Sequence, residues 1–337
     1  MTLQSLKIYA TTTMTYEKLK DIWHNVRILL FNQLPAIFST DCRDCADIPV
    51  FAQHAPGPRY LRPLLEHLRT NGYQTVTSIE FNRQLKGEWI PQSRTVYLTF
   101  DDGLRAFLTK TFPLLREYSM KCTLFVCPGI IDIIRNGKES LSRFVSKDFL
   151  SWEEIKQLHE SSLVDIQSHG MWHNQIPYGV KKRYEYVGKP TSLLDYRDLL
   201  PPDGRVEQLV EKQTESRIIR YICRSFYMSN DTAALLRDMR TAKRRIEEEL
   251  NGHRVTAFAF PWWYGSPTAA ACAEESGYDM VFRGLSHVGK KTKKAPADTF
   301  HIGRLGFDWI YLLPGRGRLN RVNLIKAKRG ELRNDAE

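Results

Sequence analysis

The sequence has few cysteines and no long run of apolar residues, and both absences limit what the protein can be. Its 337 residues include six cysteines, too few for the disulfide framework of a small secreted domain. The opening stretch MTLQSLKIYATTTMTYEKLK has no apolar segment followed by a small-residue cleavage site, so it does not resemble a secretory signal. The most apolar early segment, VRILLFNQLPAIF, carries polar residues and a proline and is too short to span a bilayer. We therefore expect a cytoplasmic protein.

Acidic residues are also fewer than basic ones, with 38 Asp and Glu against 49 Lys and Arg, a net charge of +11. This excess favours anionic partners such as phospholipid headgroups or phosphate-linked saccharides. Net charge is the only feature that would indicate a nucleic acid partner, so we do not predict one. Residues 316–337 form a basic C-terminal tail, which is either solvated or in contact with lipid phosphate at the inner face of a membrane.

The order of segments divides the chain into three parts. Residues 1–46 are predicted to be a helical extension, and residues 47–315 alternate between strand-like and helix-like stretches. IPVFAQ, YQTVTSI, TVYLTF, KCTLFVCPG and LVDIQS are typical of strands, while SWEEIKQLHESS opens with Ser151 and Glu154 at the spacing of a capping box. Repeated units of this kind predict a parallel sheet or a (β/α) barrel.

Residues 175–230 interrupt this alternation. Their first part, YGVKKRYEYVGKPTSLLDYRDLLPPDGR, is rich in charge, tyrosine and proline, which predicts an insertion whose start is dominated by loops. The stretch DTAALLRDMRTAKRRIEEELNG that follows is predicted to be one long helix, with a solvated face supported by ion pairs four residues apart.

Two adjacent acids, Asp101 and Asp102, end the strand-like stretch TVYLTFDDGLRAF. An Asp-Gly pair is common in turns, so a polar turn is one interpretation. In the other, one carboxylate binds a metal and its neighbour accepts a proton. His169 and His173 follow a later strand and can meet one ion if that segment turns helically. Because the carboxyl ends of parallel strands share one rim of a barrel, we expect these groups to converge.

TFDDG, followed about seventy residues later by His-x-x-x-His, resembles the polysaccharide deacetylase family, the NodB-type fold of carbohydrate esterase family 4. AFAFPWWYGSPTAAACAEESGYDMVF resembles the third motif of this family, and the likeness extends over residues 48–313. The resemblance implies a distorted (β/α)7-type barrel. It also implies a hydrolase that removes the N-acetyl group from an amino sugar in a glycan, glycolipid or precursor.

The resemblance assigns roles to individual residues. Asp102, His169 and His173 match the ligands of a divalent metal, most simply Zn²⁺, with Co²⁺ or another transition metal as alternatives. Asp101 matches the catalytic base. Two imidazoles and one carboxylate leave positions open on the ion, as in catalytic sites.

The remaining catalytic groups are matched less directly. VFAQHAPGPRYLRPLLEHLRTNGY follows the layout of the poly-N-acetylglucosamine deacetylase branch, which makes His54 the expected acid. In HIGRLGF, Arg304 is expected to hold the base, since the arginine that often precedes the third-motif proline is replaced here. A second departure is Gly170, which follows His169 where the family usually has serine or threonine. A hydroxyl that would hold this loop is therefore missing from that position.

Aromatic residues near these motifs predict a sugar-binding surface. Its expected members are Pro261, Trp262, Trp263, Tyr264, Gly265 and Trp172. The metal and a backbone N–H near Trp263 or Tyr264 are expected to stabilise the developing oxyanion.

Three other functions remain open at this point. The same scaffold suits another amide hydrolase, such as a deformylase, or a non-catalytic protein that binds glycans. An iron(II) oxygenase also uses two histidines and one carboxylate, but its site usually contains His-x-Asp and needs no second acid.

Overall fold

The computed structural model describes residue 38 and residues 48–91, 94–136, 148–173, 175–185, 217–284, 293–294 and 299–320. The predicted extension at 1–46, apart from Phe38, and residues 321–337 of the predicted tail lie outside the described residues, as do residues 186–216 of the predicted insertion. Within the described part of the chain, no helix combines the length and apolar character needed to cross a membrane.

The strands follow the predicted alternation with helices. They are β1 (Val50–Gln53), β2 (Gln74–Thr75), β3 (Thr95–Phe100), β4 (Cys122–Val126), β5 (Val164–Ser168), β6 (Gln175–Glu185), β7 (Arg217–Ser225), β8 (Ala257–Ala259), β9 (Met280–Gly284), β10 (Lys293–Lys294) and β11 (Phe300–Gly306). The α-helices are α1 (Pro58–Thr70), α2 (Ser78–Leu85), α3 (Phe112–Glu117), α4 (Pro128–Asn136), α5 (Trp152–Glu160), α6 (Thr232–Glu249) and α7 (Pro267–Glu275). A π-helical segment at Phe107–Thr111 leads into α3, and short 3₁₀-helices lie at Phe226–Met228, Pro261–Trp263 and Phe307–Leu312.

Seven parallel strands close into a barrel. Their order around the ring is β1, β3, β4, β5, β8, β9 and β11, and β1 closes it by pairing with both β3 and β11. The pairing of β5 with β8 is the shortest in the ring, with Ser168 and Phe258 as its one paired position. Beside it, the Gln167 side-chain oxygen accepts the N–H groups of Thr256 at 2.9 Å and Ala257 at 2.8 Å. The predicted distorted (β/α)7-type barrel is confirmed.

The core has two layers, as expected when strand side chains alternate between two faces. One buried cluster fills the barrel and includes Tyr97, Phe125 and Phe282. The other lies between the strands and the surrounding helices and includes Leu61, Trp152 and Met239. Burial of this apolar surface is the main force that holds the barrel closed, at roughly 25 cal/mol per Å².

The helix predictions are largely confirmed. Ser151 and Glu154 form the expected capping box at the start of α5. Helix α6 carries three ion pairs four residues apart: Lys243–Glu247, Arg244–Glu248 and Arg245–Glu249.

Two local predictions are wrong. YQTVTSI is a strand only at Gln74–Thr75, because Thr77 and Glu80 form a second capping box that starts α2 at Ser78. The β-branched residues favoured a strand, but the Thr-x-x-Glu spacing decides the outcome. The start of the insertion is not a loop where it is described, since β6 begins at Gln175, soon after the His169–His173 segment, and pairs with β7 as an antiparallel ribbon.

Candidate active site

The two adjacent acids lie where β3 ends. β3 is buried along its whole length, and the Asp101 N–H donates to the Gln53 carbonyl at the end of β1, at 2.9 Å. The chain then turns sharply, with φ of 77° at Asp102 and 72° at Gly103. This turn sends the two carboxylates in different directions, and both are 2% exposed. A solvated turn is thereby excluded for these two acids.

Asp102, His169 and His173 converge. The Asp102 Oδ1 atom lies 3.5 Å from His169 Nε2 and 3.3 Å from His173 Nε2. Together these three groups could hold one metal ion, since the ligand atoms they offer all lie within 4.8 Å of one another. Their predicted role as metal ligands stays a prediction, and the geometry fits it.

The protonation of His169 favours a cation here. Its Nδ1 lies 2.7 Å from the carbonyl oxygen of Ala259, and a carbonyl oxygen can only accept a hydrogen bond, so Nδ1 carries the proton. In the neutral ring Nε2 is then a lone-pair acceptor, and it faces a carboxylate oxygen. A metal ion satisfies such opposed acceptors, and a backbone carbonyl behind the ring is the usual support for a ligating histidine.

The segment between His169 and His173 is not helical, although a helical turn was the expected conformation. Residues 169–173 form an irregular bend with φ of 80° at Gly170 and 56° at His173. The imidazoles meet because His169 directly extends β5, with its N–H on the Val126 carbonyl at 2.9 Å, and the bend brings His173 back. The spacing was informative although the assumed conformation was wrong.

Arg304 holds Asp101 by a two-pronged ion pair. Its two terminal nitrogens lie 2.7 and 2.9 Å from the two carboxylate oxygens, and Arg304 is 0% exposed. The Thr99 hydroxyl lies 3.3 Å from the same guanidinium. Burial by itself would raise the pKa of Asp101, but the charge of Arg304 and its hydrogen bonds to the carboxylate hold the pKa below its ordinary value. Asp101 is therefore ionised at neutral pH, as a base must be.

His54 lies at the open side of the site. Its Nε2 is 3.8 Å from Asp102 Oδ2, and its side chain is 49% exposed. Its backbone N–H is held by the Gln53 side-chain oxygen at 3.0 Å. A half-exposed imidazole beside buried acids can exchange protons with solvent and with a bound substrate.

The aromatic segment lies against this centre in a strained conformation. Trp262 and Trp263 have φ of 60° and 64°, values that non-glycine residues adopt only when their surroundings impose them. The Trp262 ring lies 5.0 Å from the ring of His173, and the Arg304 guanidinium lies 5.3 Å from the ring of Trp263. Tyr264 is 43% exposed and is available for contact with a ligand.

The other predicted members of the sugar-binding surface have structural neighbours. Pro261 is buried, and a Cβ at Gly265 would lie 2.5 Å from the Phe260 ring, so only glycine fits there. Trp172 packs on Gly129 at the start of α4. The structure therefore brings Trp262 and Trp263 to the centre, whereas Pro261 and Gly265 shape the segment that carries them.

The role of a backbone N–H near Trp263 or Tyr264 in stabilising the oxyanion stays a prediction, although the N–H groups of these two residues have partners within the protein. The Trp263 N–H donates to the Phe260 carbonyl at 3.1 Å, and the Tyr264 N–H donates to the Pro261 carbonyl at 3.4 Å. Both groups close the turn of the strained segment and are engaged within the protein.

Sequence reasoning missed two residues that contact the histidine segment. The Asp238 carboxylate, from α6, accepts the Met171 N–H at 3.2 Å and the Tyr227 hydroxyl at 2.5 Å. Burial raises the pKa of Asp238 to about 6, although both hydrogen bonds lower it. Asp238 is one acid in a highly charged helix, so no sequence pattern distinguishes it from the other acids of α6. The signal that could have pointed to an outside contact was glycine at position 170, where serine or threonine was expected.

Comparisons with known proteins agree with this geometry. Residues 90–281 match the sequence pattern that defines the polysaccharide deacetylase family. Over 229 residues, the chain is 26% identical to the poly-beta-1,6-N-acetyl-D-glucosamine N-deacetylase of Escherichia coli (strain K12). This alignment covers 66% of the chain and 30% of that relative, so the chain spans less than a third of the relative's length.

Two solved structures share the fold. The deacetylase domain of BpsB from Bordetella bronchiseptica superposes with a TM-score of 0.52 at 20% identity, covering 79% of this chain and 98% of that one. IcaB from Ammonifex degensii gives a TM-score of 0.51 at 20% identity, covering 77% and 91%. The family resemblance found from the motifs, including the poly-N-acetylglucosamine deacetylase branch, is confirmed.

Proposed function

The chain belongs to the polysaccharide deacetylase family, and from this membership we propose that it is a metal-dependent hydrolase of the N-acetyl group of an amino sugar. The products would be acetate and a free amine on the saccharide. The Escherichia coli relative, by its name, deacetylates poly-beta-1,6-N-acetyl-D-glucosamine. We therefore propose a saccharide that contains N-acetylglucosamine as the first substrate to test.

One observation supports this function above the others: the two adjacent carboxylates contact different groups, which suits them to different roles. Asp102 faces the imidazole nitrogens of His169 and His173, whereas Asp101 faces Arg304. A binding protein or a structural turn has no need of this division. An iron(II) oxygenase triad would not need the second, arginine-held acid.

When bound to Asp102, His169 and His173, a divalent cation such as Zn²⁺ supplies Lewis acidity to the amide carbonyl and to the attacking water. Asp101 accepts a proton from that water as its oxygen forms a bond to the acetyl carbon. Arg304 keeps the Asp101 carboxylate ionised and fixes its direction. His54, in its protonated form, donates a proton to the amide nitrogen as the carbon–nitrogen bond breaks.

The aromatic segment is proposed to bind the sugar. Tyr264 is exposed, and Trp262 and Trp263 lie beside the centre, so the rings can contact the apolar face of a pyranose. The location of the protein in the cell and a contact between residues 316–337 and lipid phosphate stay predictions.

Acetate release tests the proposal directly. The purified protein, loaded with zinc or stripped by a chelator, is incubated with oligomers of N-acetylglucosamine, nucleotide-linked N-acetyl sugars and matched N-formyl sugars. We expect acetate from at least one N-acetyl substrate, only with metal, and none from the Asp101→Asn variant. Formate from the N-formyl sugars without acetate would identify a deformylase instead. Glycan binding without hydrolysis would favour the non-catalytic alternative.

A further inference from the structure

The bend that carries both histidines depends on contacts from outside itself. Gly170 and His173 have positive φ values of 80° and 56°, and such a conformation persists only when the surroundings hold it. Two backbone bonds connect it to the strand and helix beside it: the His169 N–H donates to the Val126 carbonyl at 2.9 Å, and the Met171 carbonyl accepts the Gly129 N–H at 3.0 Å. The N–H of Met171, at the centre of the bend, is held by a side chain.

That side chain is Asp238. Its Oδ2 atom accepts the Met171 N–H at 3.2 Å and the Tyr227 hydroxyl at 2.5 Å. Asp238 is 7% exposed and Tyr227 is 1% exposed, so neither group can exchange these bonds for bonds to bulk water. A buried acceptor that holds two donors has a single direction, which fixes the position of Met171.

Glycine at position 170 makes this arrangement possible. A Cβ added there would overlap the Tyr227 hydroxyl oxygen and would lie 3.1 Å from Asp238 Oδ2. The tyrosine hydroxyl therefore occupies the space that a side chain at position 170 would fill. Serine or threonine was the expected residue at position 170. Here the hydroxyl beside the bend belongs instead to Tyr227, in the segment that follows β7.

The same segment contacts the aromatic loop. The Tyr227 carbonyl accepts the Ser266 N–H at 2.8 Å, and the Ser225 hydroxyl donates to the Pro261 carbonyl at 3.4 Å. Residues 225–227 thus lie between the two loops that carry His173 and Trp262, and a shift of Tyr227 would move both.

We propose that Tyr227 and Asp238 are a positioning pair that sets the metal affinity of the site by holding the histidine bend. The inference rests on the proposed metal-dependent function. The pair does not contact the ligand atoms, and it acts through Met171 and Gly170. Groups that hold ligands in this way typically change metal affinity by about 10- to 100-fold when they are lost.

Zinc affinity and stability are measured separately on four variants. Tyr227→Phe removes the hydroxyl and keeps the ring, Asp238→Leu removes the acceptor, and Asp238→Asn keeps an acceptor oxygen for the Met171 N–H. Tyr73→Phe is the matched control, because Tyr73 is 5% exposed and its hydroxyl donates to the Pro314 carbonyl at 2.9 Å. The readouts are the zinc dissociation constant from competition with a chelating dye, the Co²⁺ absorption spectrum, and the melting temperature without metal.

We expect Tyr227→Phe to weaken zinc binding by about 10-fold and Asp238→Leu by up to about 100-fold, both with altered Co²⁺ spectra. Asp238→Asn should stay within about threefold of wild type, and Tyr73→Phe should lower the melting temperature without changing the zinc constant. A wild-type zinc affinity in Tyr227→Phe would overturn the proposed role of the pair, even if Asp238→Leu fails to fold. Equal weakening by Tyr73→Phe would also overturn it.

The outcomes separate this inference from the proposed function. Tight zinc binding that no variant changes would refute the pair and leave the proposed function standing. Weaker zinc binding in the variants, together with no acetate release by wild type, would support the pair and refute the substrate. A wild-type protein that binds no metal would refute both.

Discussion

Asp102 and Asp165 are both buried, near opposite ends of the barrel strands, and they differ in the groups that surround them. Asp165 is 5% exposed and lies four residues before His169 on β5, or about 13 Å along the strand at ~3.3 Å per residue. Its Oδ2 atom accepts the Ser78 hydroxyl, the Ser78 N–H at 3.3 Å and the Thr123 hydroxyl at 3.2 Å. Asp165 is thus surrounded by hydrogen-bond donors.

The histidine near Asp165 also acts as a donor. His253 Nε2 lies 2.6 Å from the Ile166 carbonyl oxygen and 3.6 Å from Asp165 Oδ1. Because a carbonyl can only accept, this Nε2 carries a proton. At the other end of the strand, Nδ1 of His169 carries the proton that binds the Ala259 carbonyl, and Nε2, which is a lone-pair acceptor in the neutral ring, faces Asp102.

Burial of an acid beside a histidine therefore does not identify a functional site. Donors that surround an acid form a closed hydrogen-bond network that stabilises the fold. Asp102 instead faces the Nε2 atoms of two imidazoles, which together with a carboxylate can hold a metal ion, and this is the feature that separates Asp102 from Asp165.

The largest expected effect comes from Asp102→Asn, because it removes the charge from the proposed ligand set. We expect zinc to be lost on dialysis and acetate release to fall on the order of 10³-fold. Metal content and acetate release measure the two effects. Asp165→Asn is the same chemical change at the other end of the strand and should keep its zinc. Zinc loss in Asp165→Asn as well would show that the two ends are not distinct.

Arg304→Met should alter the pH dependence of hydrolysis. Without the guanidinium, burial is no longer offset and the pKa of Asp101 rises, so less of the base is ionised at a given pH. We expect kcat/KM to fall about 10²-fold near pH 6 and less near pH 8. The pH profile of kcat/KM measures this shift. An unchanged shape of the profile would remove Asp101 as the base, and Arg304→Lys, which keeps the charge, should shift the profile less.

The contribution of Asp238 to the stability of the metal-free protein should decrease as pH rises from about 4 to about 6. Burial raises the pKa of Asp238 in the folded state to about 6, against an ordinary value of 3.8. The unfolded chain therefore loses this proton first, and the stabilisation present at low pH is lost as pH passes through the folded value. Relative to Asp238→Asn, the loss should be at most about 3 kcal/mol. Urea unfolding at several pH values measures it, and parallel curves for the two proteins would contradict it.

Asp165→Asn should have the smallest effect. It replaces one acceptor oxygen by a donor that faces the donors of Ser78 and Thr123, and we expect a loss of about 2 kcal/mol in the free energy of unfolding. Urea unfolding of zinc-free protein measures this loss. A stability equal to that of wild type would show that the donors around Asp165 do not depend on its charge.

Much of the site was predictable because its parts are local in sequence. Asp101 and Asp102 directly follow a strand pattern, and His169 and His173 follow another. Parallel strands bring their carboxyl ends to one rim, so the convergence of these groups follows from the fold class. Arg304 was expected to hold the base only through the family resemblance, since 203 residues separate it from Asp101.

Other features could not be predicted because their causes are distant in sequence. Tyr227 and Asp238 contact the histidine bend from a segment that no motif marks. The hydrogen bonds that the Trp263 and Tyr264 N–H groups make within their own turn were also not apparent from the sequence. The ribbon of β6 and β7 was missed because proline, glycine and a run of charged residues interrupt the pattern of β6 and the register of the pair shifts twice.

The amino-acid sequence by itself determined the alternating elements and placed the acids and imidazoles at the ends of strands, because hydrophobic periodicity and motif spacing act over short ranges. The seven-stranded barrel was expected through the family resemblance of these motifs. Only the tertiary structure decided which nitrogen of His169 binds a carbonyl, how Arg304 contacts both oxygens of Asp101 and what keeps the histidine bend in place. Those outcomes depend on hydrogen bonds between residues tens to hundreds of positions apart, such as that from His169 to the Ala259 carbonyl. Such partners meet only after the barrel has closed.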